Sequence, residues 1–171
     1  MGRRAVLTAY DVVGTLISSL IVFSILFACF FRIVGVDGSS MLPTLNDGDM
    51  LVLSVMDDEY RRGDVIVVDR TFDEPLIKRV IAVGGETITI DNDGNVYING
   101  KKLQEDYIQG NTVLRDFSGA ITVPRGSLFV MGDNRTVSKD SRSDEVGLIP
   151  VSSVVGKATY RVWPLQFFGK V

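Results

Sequence analysis

The chain contains no histidine in its 171 residues. A serine nucleophile here has no imidazole to take its proton, so a Ser-His-Asp triad is excluded and lysine remains as the common alternative base. There is a single cysteine, Cys29, within an apolar stretch. No intrachain disulfide and no cysteine-built zinc site can therefore form. Any metal would have to be a hard, oxygen-bound ion, and no cofactor is expected. Charge is also modest: 18 basic against 21 acidic residues give a net −3. That is too mild to point to nucleic acid as a partner. Internal repeats, low-complexity tracts and charged tails are missing.

What the chain does have is one long apolar run. Val12 to Phe31 contains twenty residues without a charge, enough at ~1.5 Å per residue to cross a ~30 Å hydrocarbon core. A cleaved secretory signal has an apolar region of only ~7–15 residues and a small-x-small site after it. Here the run closes on the bulky Phe30-Phe31, so an uncleaved anchor is expected. Arg3 and Arg4 precede it and Arg32 alone follows closely. The bias places the N-terminus in the cytoplasm and the remainder across the membrane. The division is residues 1–34, cytoplasmic N-terminus and anchor, and residues 35–171, an extracytoplasmic domain. Trp163-Pro164-Leu165-Gln166-Phe167-Phe168 is too short to span. A terminal core strand is expected there, with contact to lipid headgroups as the alternative.

After the anchor the pattern is of short, β-branched runs broken by turn residues, which predicts a mainly β, mostly antiparallel domain. Strands are expected over 50–56, 65–70, 76–83, 87–90, 96–98, 120–123, 128–131 and 154–162. Asp93-Gly94 and Asn99-Gly100 mark hairpins, because these residues tolerate positive φ. The run Asp91 to Asn95 has its glycine too early for a calcium loop and reads as one of those hairpins.

Three places carry possible chemistry. Gly38-Ser39-Ser40-Met41-Leu42-Pro43 is a stiff turn able to expose one hydroxyl. Lys78 sits in the otherwise apolar Leu76–Val83, where burial would lower its pKa and free its lone pair; an edge-strand surface lysine is the alternative. Arg79 beside it cannot act as a base, since a guanidinium stays protonated. The polar cluster Gly132 to Arg142 has more hydrogen-bonding groups than a turn needs. Within it Asp140 and Arg142, two apart, would share one face of an extended segment.

Taken together, these blocks resemble the type I signal peptidases, membrane-bound Ser-Lys proteases that remove signal peptides. Ser40-Met41-Leu42-Pro43-Thr44-Leu45 with Gly48-Asp49, Arg62-Gly63-Asp64-Val65-Ile66-Val67, Ile77-Lys78-Arg79-Val80, and Gly132-Asp133-Asn134-Arg135 with Ser138, Asp140, Ser141 and Arg142 match in order and spacing. The resemblance implies a barrel-like antiparallel catalytic domain in which Ser40 attacks the scissile carbonyl and Lys78 is the general base. Ser138 would orient the lysine amine, Asp140 and Arg142 would form a supporting ion pair, and Asp133 would order that region. The Ser40 N–H would donate to the oxyanion. Some relatives carry a serine two positions before the nucleophile; here it is Gly38, whose hydroxyl is missing.

By the same resemblance, Val36, Met41, Leu45 and Ile77 would line a shallow −1 pocket, and Val34, Leu51 and Val67 a −3 pocket. Such pockets exclude large side chains, which implies Ala-x-Ala sites in preproteins. Membrane lipid and the export machinery would be close by, because about eight residues, at most ~30 Å, separate the anchor from Ser40. Two other readings compete. A self-cleaving repressor-like Ser-Lys protease should open with a DNA-binding domain rather than a membrane span. A non-catalytic anchored β module would leave the ordered polar blocks without purpose.

Overall fold

All but the last residue of the apolar run lies within one helix, α1, Arg3–Phe30, in a computed structural model that describes residues 2–56, 59–69 and 75–171. Its stretch Tyr10–Phe30 has a mean hydropathy of 2.4 and no part buried against the protein. By length and composition it is able to cross a membrane. The helix ends abruptly. Phe31, expected as the last residue of the span, already opens strand β1, Phe31–Gly35. Its Phe-Arg-Ile-Val sequence supplies the bulky and β-branched side chains that favour a pleated backbone.

The remaining strands are β2 (Met50–Ser54), β3 (Val65–Val68), β4 (Leu76–Val83), β5 (Thr87–Ile90), β6 (Val96–Ile98), β7 (Lys101–Lys102), β8 (Ala120–Thr122), β9 (Ser127–Met131), β10 (Ile149–Pro150), β11 (Val154–Trp163) and β12 (Gly169–Lys170). They form two antiparallel sheets. The larger runs β1-β2-β11-β3-β4-β9-β10 with β12 added to β11, and the smaller runs β7-β6-β5-β8. The mainly β, antiparallel class expected from the sequence is the observed one. Seven expected strands appear within two residues of their expected ends. The last residue expected in the 65–70 strand, Arg70, lies outside the described residues. Asn99 and Gly100, with φ of 51° and 76°, make the tight β6–β7 turn, the backbone that an Asn-Gly pair favours.

Burial follows from position in the sheet. β4 is held between β3 and β9, so six of its eight residues are buried, as a strand covered on both faces requires. Lys78 and Arg79 are carried into the interior with it. One core cluster, including Val36, Met41, Leu45, Leu51, Leu53 and Ile77, lies beneath the segment that joins β1 to β2. Another joins β4 and β9 to the small sheet through Ile81, Ile88, Phe117 and Phe129.

The opposite face of β1, β2 and β11 is open and apolar. Ile33 pairs across to Val52 and Val52 to Tyr160, while Met50 pairs to Trp163. Ile33, Met50, Tyr160 and Trp163 are all exposed. The chain end does not form the expected core strand. After Trp163 it makes a short 3-10 turn, Leu165–Phe167, and Leu165 and Phe168 are 70% and 63% exposed. Phe168 stacks on Tyr160, extending the apolar face rather than the core.

Candidate active site

Residues 36–49 fold as a tight turn between β1 and β2. Val36 N–H donates to Asp49 O at 2.8 Å and Leu45 N–H to Met41 O at 2.9 Å. Gly38 has φ +80°, a left-handed conformation that glycine adopts without strain, and its N–H is held by Asp47 Oδ1 at 2.9 Å. A serine at this position would have open space for its side chain but a strained backbone. From below, Arg161 on β11 donates to Asp49 Oδ2 and to Thr44 O at 2.8 and 3.1 Å.

Ser40 sits on this turn and meets Lys78 from the middle of β4. The Lys78 Nζ lies 2.8 Å from Ser40 Oγ and donates to Ile77 O at 2.9 Å. Lys78 is 3% exposed, so it is not an edge-strand surface lysine. Burial lowers its pKa from 10.5 to about 8, against the opposing charges of Asp140 and Asp133. The amine is therefore neutral in a useful fraction of molecules near neutral pH.

The third component is the loop from Gly132 to Arg142, which runs behind both groups. Asn134 donates through its N–H to Ser40 O at 3.0 Å and through Nδ2 to Ser39 O at 3.1 Å. Asp133 binds Arg79 Nε at 2.8 Å and accepts from Thr44 Oγ1 at 2.5 Å. Gly132 has to be glycine, since a Cβ there would run into Ser138 Oγ and the Ser40 carbonyl.

Asp140 and Arg142 are both fully buried and form a bidentate pair with N–O distances of 2.8 Å. Burial pushes the Asp140 carboxyl up. The hydrogen bonds and charge of Arg142, with the Gly132 N–H, outweigh this and hold it below the usual carboxylate range. The two residues meet through a turn, not along one face of an extended segment. The reason is that Arg142 must curl back to reach Asp140 and the Arg135 carbonyl, at 2.8 Å.

Ser138 is carried on the same loop, behind the dyad. Its hydroxyl is fully buried beside Asp140, whose carboxyl it helps to hold down. No bond to the Lys78 amine is made. The amine takes Ile77 O instead, and the Ser138 hydroxyl is packed against Gly132.

A cleft of about 510 Å³ opens over the Ser40–Lys78 contact. Val34, Val36, Met41 and Ile77 line it, together with Val137 and Lys139 at the rim. Leu45, Leu51 and Val67, expected as pocket residues, lie in the core cluster beneath it and do not form its wall. A larger hollow of about 770 Å³ along α1, bordered by Gly14, Ser18 and Val22, brings no lysine to a hydroxyl.

Some site residues had no recognisable signal in the sequence. The segment following β7 lies along the outside of the 132–142 loop. Gln109 N–H donates to Asp133 O and Arg135 N–H to Gln109 O, at 2.8 and 2.9 Å. Glu105 is paired with Arg135, and Tyr107 lies under the Arg79 guanidinium at 4.2 Å. Their alternation with ordinary loop residues is visible only once the loop they hold has been placed.

Residues 9–163 match the family described as signal peptidase, peptidase S26. Signal peptidase I of Bacillus caldolyticus is 36% identical, covering 78% of this chain and 80% of its own. Signal peptidase IB of Staphylococcus aureus strain COL is 34% identical, covering 92% and 93%. A crystal structure of a signal peptidase I from Enterococcus faecalis V583 is 32% identical, with a TM-score of 0.48, covering 59% of this chain and 97% of that one.

Proposed function

The chain belongs to the signal peptidase family, peptidase S26, and from that premise we propose that it is a membrane-bound serine endopeptidase that cuts signal peptides from exported preproteins with a Ser40–Lys78 dyad. The observation that carries the dyad is the 2.8 Å contact between Lys78 Nζ and Ser40 Oγ in a chain without histidine.

In the reaction, the neutral Lys78 amine takes the Ser40 proton as Oγ bonds to the scissile carbonyl carbon. The resulting ammonium then protonates the departing amine of the mature chain, leaving the signal peptide esterified to Ser40. Water, deprotonated by the same amine, attacks the ester, and the proton returns to Ser40 as the signal peptide leaves. The Ser40 N–H is the oxyanion donor in this scheme, since Gly38 has no hydroxyl to add. Asp133, Asp140 and Arg142 hold the loop behind the dyad. The buried Ser138 hydroxyl, beside Asp140, is the group available to the amine once Ser40 is acylated.

The cleft suits an extended substrate. Its walls are the free edge of β1 and residues 76–78 of β4, whose pairing with β9 begins only at Arg79. A peptide strand entering there would find backbone partners on both sides. The short apolar walls at Val34, Val36, Met41 and Ile77 favour small residues at −1 and −3, hence Ala-x-Ala. Residues 1–34 are assigned to the cytoplasm and membrane, and residues 35–171 to the extracytoplasmic side. The apolar face of Ile33, Met50, Tyr160, Trp163 and Phe168 is assigned to the lipid surface, beside the anchor and near the export machinery. No metal, nucleotide or nucleic acid enters the scheme.

The test is cleavage of a preprotein with an Ala-x-Ala site by the intact chain in lipid or detergent. Ser40→Ala and Lys78→Met are each expected to abolish it with the fold intact. Cleavage retained by Lys78→Met would remove the dyad. A non-catalytic anchored module would be untouched by either change.

A further inference from the structure

The loop that carries Gly132, Asp133, Ser138 and Asp140 is not held by the large sheet alone. Two of its charged groups are answered from outside it by one short segment, residues 105–115, which leaves the small sheet after β7. Arg135 is completely buried. Its Nε donates to the Gly132 carbonyl at 3.1 Å, inside the loop. Its other nitrogens reach outward, Nη1 to Glu105 Oε2 at 3.0 Å and to Thr112 Oγ1 at 3.1 Å, and Nη2 to Glu105 Oε1.

Glu105 is itself fixed. Its carboxylate accepts from Tyr107 OH at 3.0 Å, and the Tyr107 ring lies 4.2 Å from the guanidinium of Arg79, the partner of Asp133. The start of the loop is therefore tied back twice to the Glu105–Tyr107 pair. One tie passes through Arg135 to Gly132, the other through Arg79 to Asp133. Further along, Arg142 Nη1 donates to Val113 O at 2.8 Å. Gly110 lies so close to Thr136 that a Cβ there would collide with its hydroxyl. A fully buried guanidinium answered by a carboxylate of the connecting segment exceeds what a loop requires, because each ion brought inside carries a desolvation cost.

We infer that Glu105 is a positioning residue for the dyad: through Arg135 and Gly132 it fixes the loop against which Ser40 and Lys78 are packed. The inference rests on the Ser-Lys reading. Gly132 is the point of transmission, since its backbone packs so close to the Ser40 carbonyl and Ser138 that not even a Cβ would fit between them. With the Glu105 charge gone, Arg135 is left with a buried, uncompensated guanidinium and draws in water. The loop then moves off the back of the dyad. Ser40 and Lys78 stay in the chain, but their alignment is lost. Substrate contacts at Val34, Val36 and Ile77 lie on the other walls and are kept.

The experiment compares the full chain in detergent micelles with Glu105→Gln, Glu105→Asp, Tyr107→Phe and, as a control on the exposed edge of the same small sheet, Lys101→Ala. Steady-state cleavage of an Ala-x-Ala peptide is measured from pH 6 to 10, with folded fraction measured by thermal melting. Glu105→Gln is expected to lower kcat per folded molecule by about tenfold or more, with KM within about twofold. The alkaline rise in rate should also move to higher pH. The charges acting on Lys78 are those of Asp133 and Asp140, and water reaching the amine would relieve the burial that keeps its pKa low. Glu105→Asp should recover part of the lost rate, and Lys101→Ala should match the wild type.

An unchanged kcat per folded molecule, or an unmoved pH rise, overturns the inference even if the melting temperature falls. If Glu105→Gln does not fold, Tyr107→Phe decides, with a loss of a few-fold and the same direction of pH movement expected. No loss there overturns it equally. A wild type that cleaves nothing, or a Lys78→Met variant that still cleaves, would instead strike the Ser-Lys reading itself.

Discussion

Lys78 faces opposite demands from stability and reactivity. Its pKa of about 8 in the folded chain, against 10.5 when unfolded, means that the folded state binds fewer protons between those values. Stability therefore rises with pH through that window, and below it the buried ammonium costs about 3 kcal/mol. Lys78→Met should accordingly melt higher than the wild type at pH 7, by up to that amount, with the advantage vanishing toward pH 10.5. Thermal melts of the two chains across this range check it. In the proposed dyad, catalysis depends on the neutral amine, so the wild-type rate should climb about tenfold per pH unit below 8 and then level off. Much of this was legible in the sequence: without histidine, the base could be sought among the lysines, and Lys78 stood out in an otherwise apolar run. The position of Ser138 was not legible, because whether its hydroxyl meets the amine or packs on Gly132 depends on sub-ångström placement of a loop.

Strands were legible where their pattern is local. Leu76–Val83 is unbroken and apolar, Thr87–Ile90 alternates, and the glycine turns around them fix the ends, so these elements occur where expected. β1 was hidden because hydropathy runs on from α1 into Phe31 without a charge to divide helix from strand. The 105–115 segment was hidden for a different reason. It has no period of its own and takes its shape from the buried arginines that it meets. The Gly132–Arg142 loop is the element whose order depends most on paired charge. Asp140→Asn leaves the Arg142 guanidinium buried without its carboxylate, an imbalance of about 3–5 kcal/mol. The variant should melt far below the wild type and lose cleavage activity along with it, measured by melting and peptide hydrolysis on the same samples.

At the scale of the whole molecule, the direct passage from α1 into β1 is the governing feature. Phe30 ends the helix and Phe31 is already paired to Ser54 in the sheet, so no free linker lies between them. With α1 in the bilayer, inserting six Gly-Ser residues between Phe30 and Phe31 should free the domain to drift from the surface. Cleavage of a membrane-inserted preprotein is then expected to fall severalfold, while hydrolysis of a soluble peptide is unchanged, because only the first depends on effective concentration at the membrane. In the proposed membrane-bound protease the same junction would act as a ruler. A site held at one height reads where along a polypeptide the bilayer ends, as well as which side chains are offered. An Ala-x-Ala sequence deep in a mature chain would be spared by altitude alone, so shallow, permissive pockets suffice for a selective protease.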